Sequence, residues 1–267
     1  MRYFKLYWTF TKKSFLRSAV YRFEVWSRMG SNLIFLLMWG SIWTALYAGR
    51  EEAAGVAFSS TLTYIVVSQF LSGVNEAGTP LWDIQENVRT GDISMELMRP
   101  YDVPIRYLVS DFGSVGFYIL TALLPIYAIL FFFVDLSLPT EWQTWIFFVL
   151  AAFIGFLVRY CVEMAFGLLA FFLVETGGVE DLFYFAMSLL SGSVIPLWFF
   201  PDWLQTVAAY LPFQSVYFIP TAIFIGELQG SQIITSFAVQ LFWLAVCYMI
   251  LRIVWNRASH RVIVQGG

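Results

Sequence analysis

The sequence predicts an all-α membrane protein: an N-terminal amphipathic interfacial helix, six transmembrane helices, and re-entrant extracellular helices between spans five and six. Three observations predict it. Of 267 residues, 60% are hydrophobic and 12% charged, where soluble domains run near about 45–50% apolar and about 25% charged. Seven runs lack Asp, Glu, Lys and Arg altogether: 29–49, 53–75, 112–134, 142–158, 182–201, 203–226 and 228–251. The Lys and Arg residues gather in three regions. A water-exposed ball of this length cannot hide so much apolar surface, which argues against a soluble enzyme or a nucleic-acid binder.

The chain before Met29 holds Arg2, Lys5, Lys12, Lys13, Arg17, Arg22 and Arg28. At about 100° per residue, Arg2, Lys5, Lys12, Lys13 and Arg17 share one arc, and Tyr3, Phe4, Tyr7, Trp8 and Phe15 the opposite one. Segment 1–20 therefore reads as a helix lying along an anionic lipid surface rather than a cleaved signal peptide.

Spans are expected near 26–48, 58–78, 108–134, 142–174, 182–200 and 230–254, since about 20 apolar residues cross about 30 Å of hydrocarbon. A helix is required because lipid offers no partner for backbone N–H and C=O groups. The run 203–226 differs. Residues 201–226 contain Pro212, Pro220, Gln205 and Gln214; each proline breaks a helical turn. This segment reads as re-entrant, returning to the side it left. Charge supports the count: Arg89, Arg99 and Arg106 follow the second span, and Arg252, Arg257 and Arg261 follow the last. Six crossings keep all three basic regions, and both termini, in the cytoplasm. A seventh would export the last one.

The fourth span carries Arg159 and Glu163, four apart and so on one helix face. An arginine at mid-bilayer costs about 2.5–3.5 kcal/mol, which the ten Ile, Leu, Val and Phe residues of 146–158 offset at about 3–6 kcal/mol. The pair either orients the helix near the cytoplasmic headgroups or holds a buried structural or pathway position; spacing leaves both open.

Catalytic chemistry is thin. There is no G-x-x-x-x-G-K-[ST] phosphate loop, and every lysine precedes the first span. G-x-S-x-G and H-E-x-x-H are missing, His260 is the only histidine, and Cys161 and Cys247 lie within apolar stretches. Glu76 sits at a membrane boundary. No catalytic residue, bound cofactor or metal site is expected.

Two segments stand out. In loop 79–106, Pro80 and Gly91 bracket a short amphipathic helix with Leu81, Trp82, Ile84 and Val88 for packing and Asp83, Glu86 and Arg89 facing outward. The other runs Gly192, Pro196, Leu197, Pro201, Trp203 and Leu204, then Leu211 and Pro212. This Gly-x-x-x-Pro-Leu-x-x-x-Pro pattern, followed by Trp-Leu and Leu-Pro, resembles the type-2 permeases of bacterial ATP-binding-cassette exporters, where it ends the fifth span. Gly91-Asp92-Ile93 and Leu97-Met98-Arg99-Pro100 resemble the loop signature of small bacterial permeases. The likeness covers nearly the whole chain, as a single transmembrane domain over 1–267. One departure is the loop 175–181, which has acidic residues and no Lys or Arg.

The resemblance implies an exporter in the bacterial inner membrane, built from two permeases (this chain twice, or with a paralogue) and two separate ATPase subunits that bind ATP and Mg. The helix bearing Trp82, Asp83, Ile84, Glu86, Asn87 and Arg89 would be its coupling helix: Asp83, Glu86 and Arg89 contacting the ATPase, Trp82 and Ile84 holding the helix to the membrane body. Ser68, Gln69, Ser72 and Asn75 on the second span, with Ser188 and Ser191 on the fifth, would line a path or tie helices together. The cargo would be amphipathic, lipid-like, a peptide or drug-like. An ATP-independent secondary transporter or channel is the alternative; an integral membrane enzyme acting on lipids lacks acid–base clusters.

Overall fold

The computed structural model describes residues 2–20, 22–53, 55–78, 80–130, 132, 136–173 and 177–261, with residues 2, 3, 22, 24 and 53 as backbone only. Glu175, Thr79, the last residues of the third and fourth expected spans, and the side chains of Arg2 and Tyr3 lie outside the described residues.

Helix α1 (Arg2–Val20) leads into α2 (Arg22–Tyr47), and two-residue antiparallel strands β1 (Glu52–Ala53) and β2 (Val56–Ala57) then turn the chain. Helix α3 (Phe58–Glu76) follows, then α4 (Pro80–Thr90), α5 (Ile93–Leu97) and α6 (Val103–Tyr118). A π-helical turn, Ile119–Leu123, joins α6 to α7 (Leu124–Leu130). Helix α8 (Trp142–Gly167) ends in a 3₁₀ turn, Leu168–Phe171. The rest comprises α9 (Gly177–Leu190), α10 (Asp202–Ala209), α11 (Phe218–Phe224) and α12 (Ser231–Ser259).

Several boundaries follow from local chemistry. Pro80 opens α4 where an N–H is not needed, and Gly91, at φ +83°, closes it. Asp102 caps α6 by accepting from the Ile105 N–H at 3.1 Å. Ala48 and Gly49, both at positive φ, end α2.

Among the described residues, four helical stretches are long and apolar enough to cross a membrane: Val25–Tyr47, Val103–Leu130, Trp142–Phe171 and Ser231–Ser259. A fifth arises if Asp202–Ala209 and Pro212–Phe224, bent by 76°, count as one broken span. The two remaining expected spans differ from the long apolar helices for physical reasons. Helix α3 has 19 residues, but Ser, Thr, Gln and Asn interrupt it, and most of its side chains are buried in protein rather than facing outward. Helix α9 has only 14 residues, about 21 Å at about 1.5 Å per residue. The expected span 182–200 is therefore α-helical only to Leu190, and the chain continues through irregular backbone to a 3₁₀ turn, Leu197–Phe199.

Large apolar side chains cover the outside, among them Ile34 at 67% exposure, Leu37 at 59%, Phe242 at 60% and Met249 at 62%. Such a surface belongs in an apolar solvent; the chain is a multi-pass membrane protein.

Helix α8 is the hub, packed by α12, α11 and α4. Gly155 permits a close approach: an added Cβ would lie 2.5 Å from the Ser215 carbonyl oxygen. Buried Gln240 of α12 completes this joint by donating to the Ala151 and Ser215 carbonyls at 3.0 and 2.8 Å. Elsewhere α1 lies along α6. Thr11 donates to the Val109 carbonyl at 2.9 Å, the Ser14 and Ser114 hydroxyls meet at 2.8 Å, and a Cβ on Gly113 would sit 2.2 Å from the Thr11 carbonyl oxygen.

Candidate functional site

Helix α4 is held by one face. Leu81 and Ile84 are fully buried, and their seat is Gly167, where an added Cβ would lie 2.4 Å from the Ile84 Cγ2 and 3.0 Å from the Leu81 carbonyl oxygen. Only glycine allows α4 to lie this close to the end of α8. Trp82 is half exposed yet stacked on Tyr184 of α9, with centroids 6.2 Å apart and planes 9° apart. Asn87 donates to the buried Tyr107 hydroxyl, and Val88 joins the apolar cluster under the helix.

On the opposite face, Glu86 and Arg89 form an exposed ion pair at 2.5 Å. Thr90 donates to Asp92 at 3.0 Å. The outward arc expected from the sequence thus holds for Glu86 and Arg89, while Asp83 is half-buried and faces a cavity beside α1 and α6. Its place in that arc is the one orientation that differs: the 11-residue helix is rolled so that Leu81 and Ile84 reach Gly167.

Behind α4, Glu96 of α5 pairs with Arg106 of α6, whose guanidinium lies 3.8 Å over the Tyr107 ring. Burial pushes the Glu96 carboxyl above the usual carboxylate range, against the attraction of Arg106 and Arg99. This chain Glu96–Arg106–Tyr107–Asn87 anchors the loop to the membrane body. Neither it nor Gly167 was legible as a site in the sequence. The available signal was weak: a glycine within a long helical pattern, which marks close packing when the backbone is approached.

The proline-rich segment is held by α3. Beyond α9, Gly192 takes φ +79°, Pro196 and Leu197 are buried, Pro201 precedes α10, Trp203 is 66% exposed, and Pro212 opens a 3₁₀ turn. Three successive carbonyls freed by the break find partners: Ser191 from the Phe218 N–H at 3.0 Å, Gly192 from the Tyr64 hydroxyl at 2.7 Å, Ser193 from the Ser68 hydroxyl at 3.0 Å. Ser193 donates to the Ser188 carbonyl at 3.0 Å, its N–H reaches the Ser191 hydroxyl at 3.3 Å, and Ser72 bonds Tyr217. Irregular backbone at membrane depth requires such satisfaction. Of the six polar residues singled out, Ser68, Ser188 and Ser191 meet around this break. Ser72 adjoins it through Tyr217. Gln69 and Asn75 are buried, and the Asn75 Oδ1 has no hydrogen-bond partner among the described residues.

Arg159 and Glu163 do pair, at 2.7 Å, with side chains 7% and 1% exposed. Glu163 keeps one oxygen without a hydrogen bond among the described residues. Asp111 of α6, also buried, packs on Gly78, where an added Cβ would lie 2.8 Å from its Cγ. The pair is enclosed by protein.

Residues 31–266 match the model of a family described as "ABC-2 family transporter protein". No curated protein matches the chain.

Proposed function

Because the chain belongs to the ABC-2 transporter family, we propose that it is the permease of an exporter powered by separate ATPase subunits, with α4 as its coupling helix. The observation that carries this reading is the two-sidedness of α4: Leu81 and Ile84 are locked against Gly167, while Glu86 and Arg89 stand exposed. A helix fixed to the membrane body by one face and presenting charge on the other suits the transmission of a push from a soluble partner.

The assembly comprises two permeases, the second a copy of this chain or a paralogue, and two ATPases that bind ATP and Mg. Six spans, counting α3, the short α9 and its extension, place both termini in the cytoplasm of a bacterial inner membrane. Segment 201–226 is re-entrant on the outer side, and α1 lies at the inner headgroups. ATP-driven closure of the ATPases moves α4, and with it α8, between two packings. Ser68, Ser72, Ser188 and Ser191 hold the outer break in place rather than wetting an open path. The cargo is amphipathic: lipid-like, a peptide or drug-like.

The test is reconstitution of the permease with its ATPases, followed by ATP-dependent transport and cargo-stimulated hydrolysis. Replacing Glu86 and Arg89 together by alanine should abolish both while leaving insertion intact. Undiminished transport in that variant contradicts the coupling role. Transport by the chain alone under an ion gradient instead makes it a secondary transporter or channel.

A further inference from the structure

A cavity of about 450 Å³ lies where α1, α2, α4 and α6 meet. It is separate from the α4 seat and from the outer break. Lys13 and Arg17 of α1, Arg28 of α2 and Arg106 of α6 line it together with the carboxylates Asp83 and Asp111. Two of these cations are positioned by their other contacts: Arg106 pairs with Glu96, and Arg28 donates to the Glu76 carbonyl. Lys13 and Arg17 are exposed. Ser14, Ser110 and Ser114 add hydroxyls to the wall, while Phe10, Val25 and Phe117 give it an apolar side.

The surroundings indicate where the cavity sits. Leu16, Val20, Phe23 and Trp26 are 53%, 77%, 86% and 65% exposed, and they flank the same stretch of chain. Exposed apolar side chains beside a cationic pocket are the pattern of a helix at the boundary between headgroups and acyl chains.

We propose that this cavity binds the phosphate of an anionic phospholipid, with the acyl chains against Val20, Phe23 and Trp26. The inference rests on α1 lying at the inner membrane surface; it does not need α4 to contact an ATPase. A phosphodiester brings one negative charge and several acceptor oxygens, which guanidinium forks and hydroxyls satisfy together. Lys13 and Arg17, exposed at the mouth of the cavity with three hydroxyls beside them, favour that charge over a zwitterionic headgroup. Asp83 places α4 in the same wall, so an occupied cavity joins α1, α6 and α4 around one lipid.

The experiment uses the purified full chain in detergent, titrated with short-chain phosphatidylglycerol, with phosphatidylcholine of the same chain length, and with inorganic phosphate. Bound lipid is counted by native mass spectrometry. One phosphatidylglycerol should be retained per chain at least about tenfold more tightly than phosphatidylcholine. Lys13→Gln with Arg17→Gln should weaken it roughly tenfold or more, two cations being removed from a lipid surface. Those side chains are exposed, so the variant keeps the fold, and the cavity-filling Ser110→Phe should give the same loss. Arg257→Gln with Arg261→Gln should leave retention unchanged. Equal retention of the two lipids, or undiminished phosphatidylglycerol in both cavity variants, overturns the proposal. Displacement of the lipid by inorganic phosphate at matching concentrations assigns the cavity to a soluble ion and overturns the lipid as ligand.

Discussion

Ile84 of α4 rests where Gly167 of α8 has no side chain: its Cγ2 lies 2.4 Å from the position of an added Cβ. The contact joins the short helix of the first long loop to the hub helix of the membrane body. Movement of one therefore requires movement or repacking of the other, since packed interfaces switch rather than stretch.

Gly167→Ala should therefore displace α4, at an overpacking cost of about 1–3 kcal/mol. Cargo-stimulated ATPase activity of the reconstituted complex should fall severalfold with membrane insertion unchanged. Adding Ile84→Ala removes the colliding methyl and should restore part of the activity. A double-mutant cycle with no coupling between the two positions would contradict direct contact.

The outer break depends on α3. Tyr64→Phe keeps the ring but leaves the Gly192 carbonyl without its partner at 2.7 Å. A buried unsatisfied carbonyl costs about 1–3 kcal/mol, so thermal unfolding in detergent should shift downward. Ser68→Ala should do the same at Ser193. The two losses should not add simply, because the carbonyls are adjacent.

Within α8, Glu163→Gln leaves the Arg159 charge buried and should destabilise by about 3–5 kcal/mol. Replacing both residues together, Arg159→Met with Glu163→Leu, removes the charge along with its partner and should recover most of that stability. Transport should survive in the double variant. A folded double variant that cannot transport would place the pair in the cargo path instead.

Stability should also respond to acid through Glu96. Burial holds its carboxyl above its ordinary value of 4.5, so the folded protein keeps this proton to higher pH than the unfolded chain. The contribution of Glu96 to stability is then largest below 4.5, falls as pH rises from there to the folded value, and is flat beyond it. Thermal unfolding of Glu96→Gln should lack that slope. An identical pH profile in the two proteins would show that Glu96 does not titrate this way.

Much of this architecture is legible in local sequence. Pro80 and Gly91 mark the bounds of α4, the four-residue spacing of Arg159 and Glu163 anticipates their pairing, and Pro196, Pro201 and Pro212 announce broken helices. These features depend on neighbours in the chain. What local pattern does not carry is which distant backbone a residue meets. Gly167 reads as one more small residue until Ile84 is placed against it, Ser68 reads as a path-lining or helix-tying residue until the freed carbonyl of Ser193 appears, and Tyr64 carries no local signal of its bond to the Gly192 carbonyl. The early end of α9 and the half-buried Asp83 have the same origin. Tertiary packing fixes both, and hydrophobic periodicity is silent on it.

The role of α4 is tested most directly by a photo-crosslinking amino acid at position 86, on the exposed face, compared with one at position 203, 66% exposed in α10. Irradiation of intact membranes should attach a P-loop ATPase to the chain from position 86 and not from position 203. Capture from both positions alike, or from neither while the ATPase is present and the complex active, would contradict a coupling helix at α4.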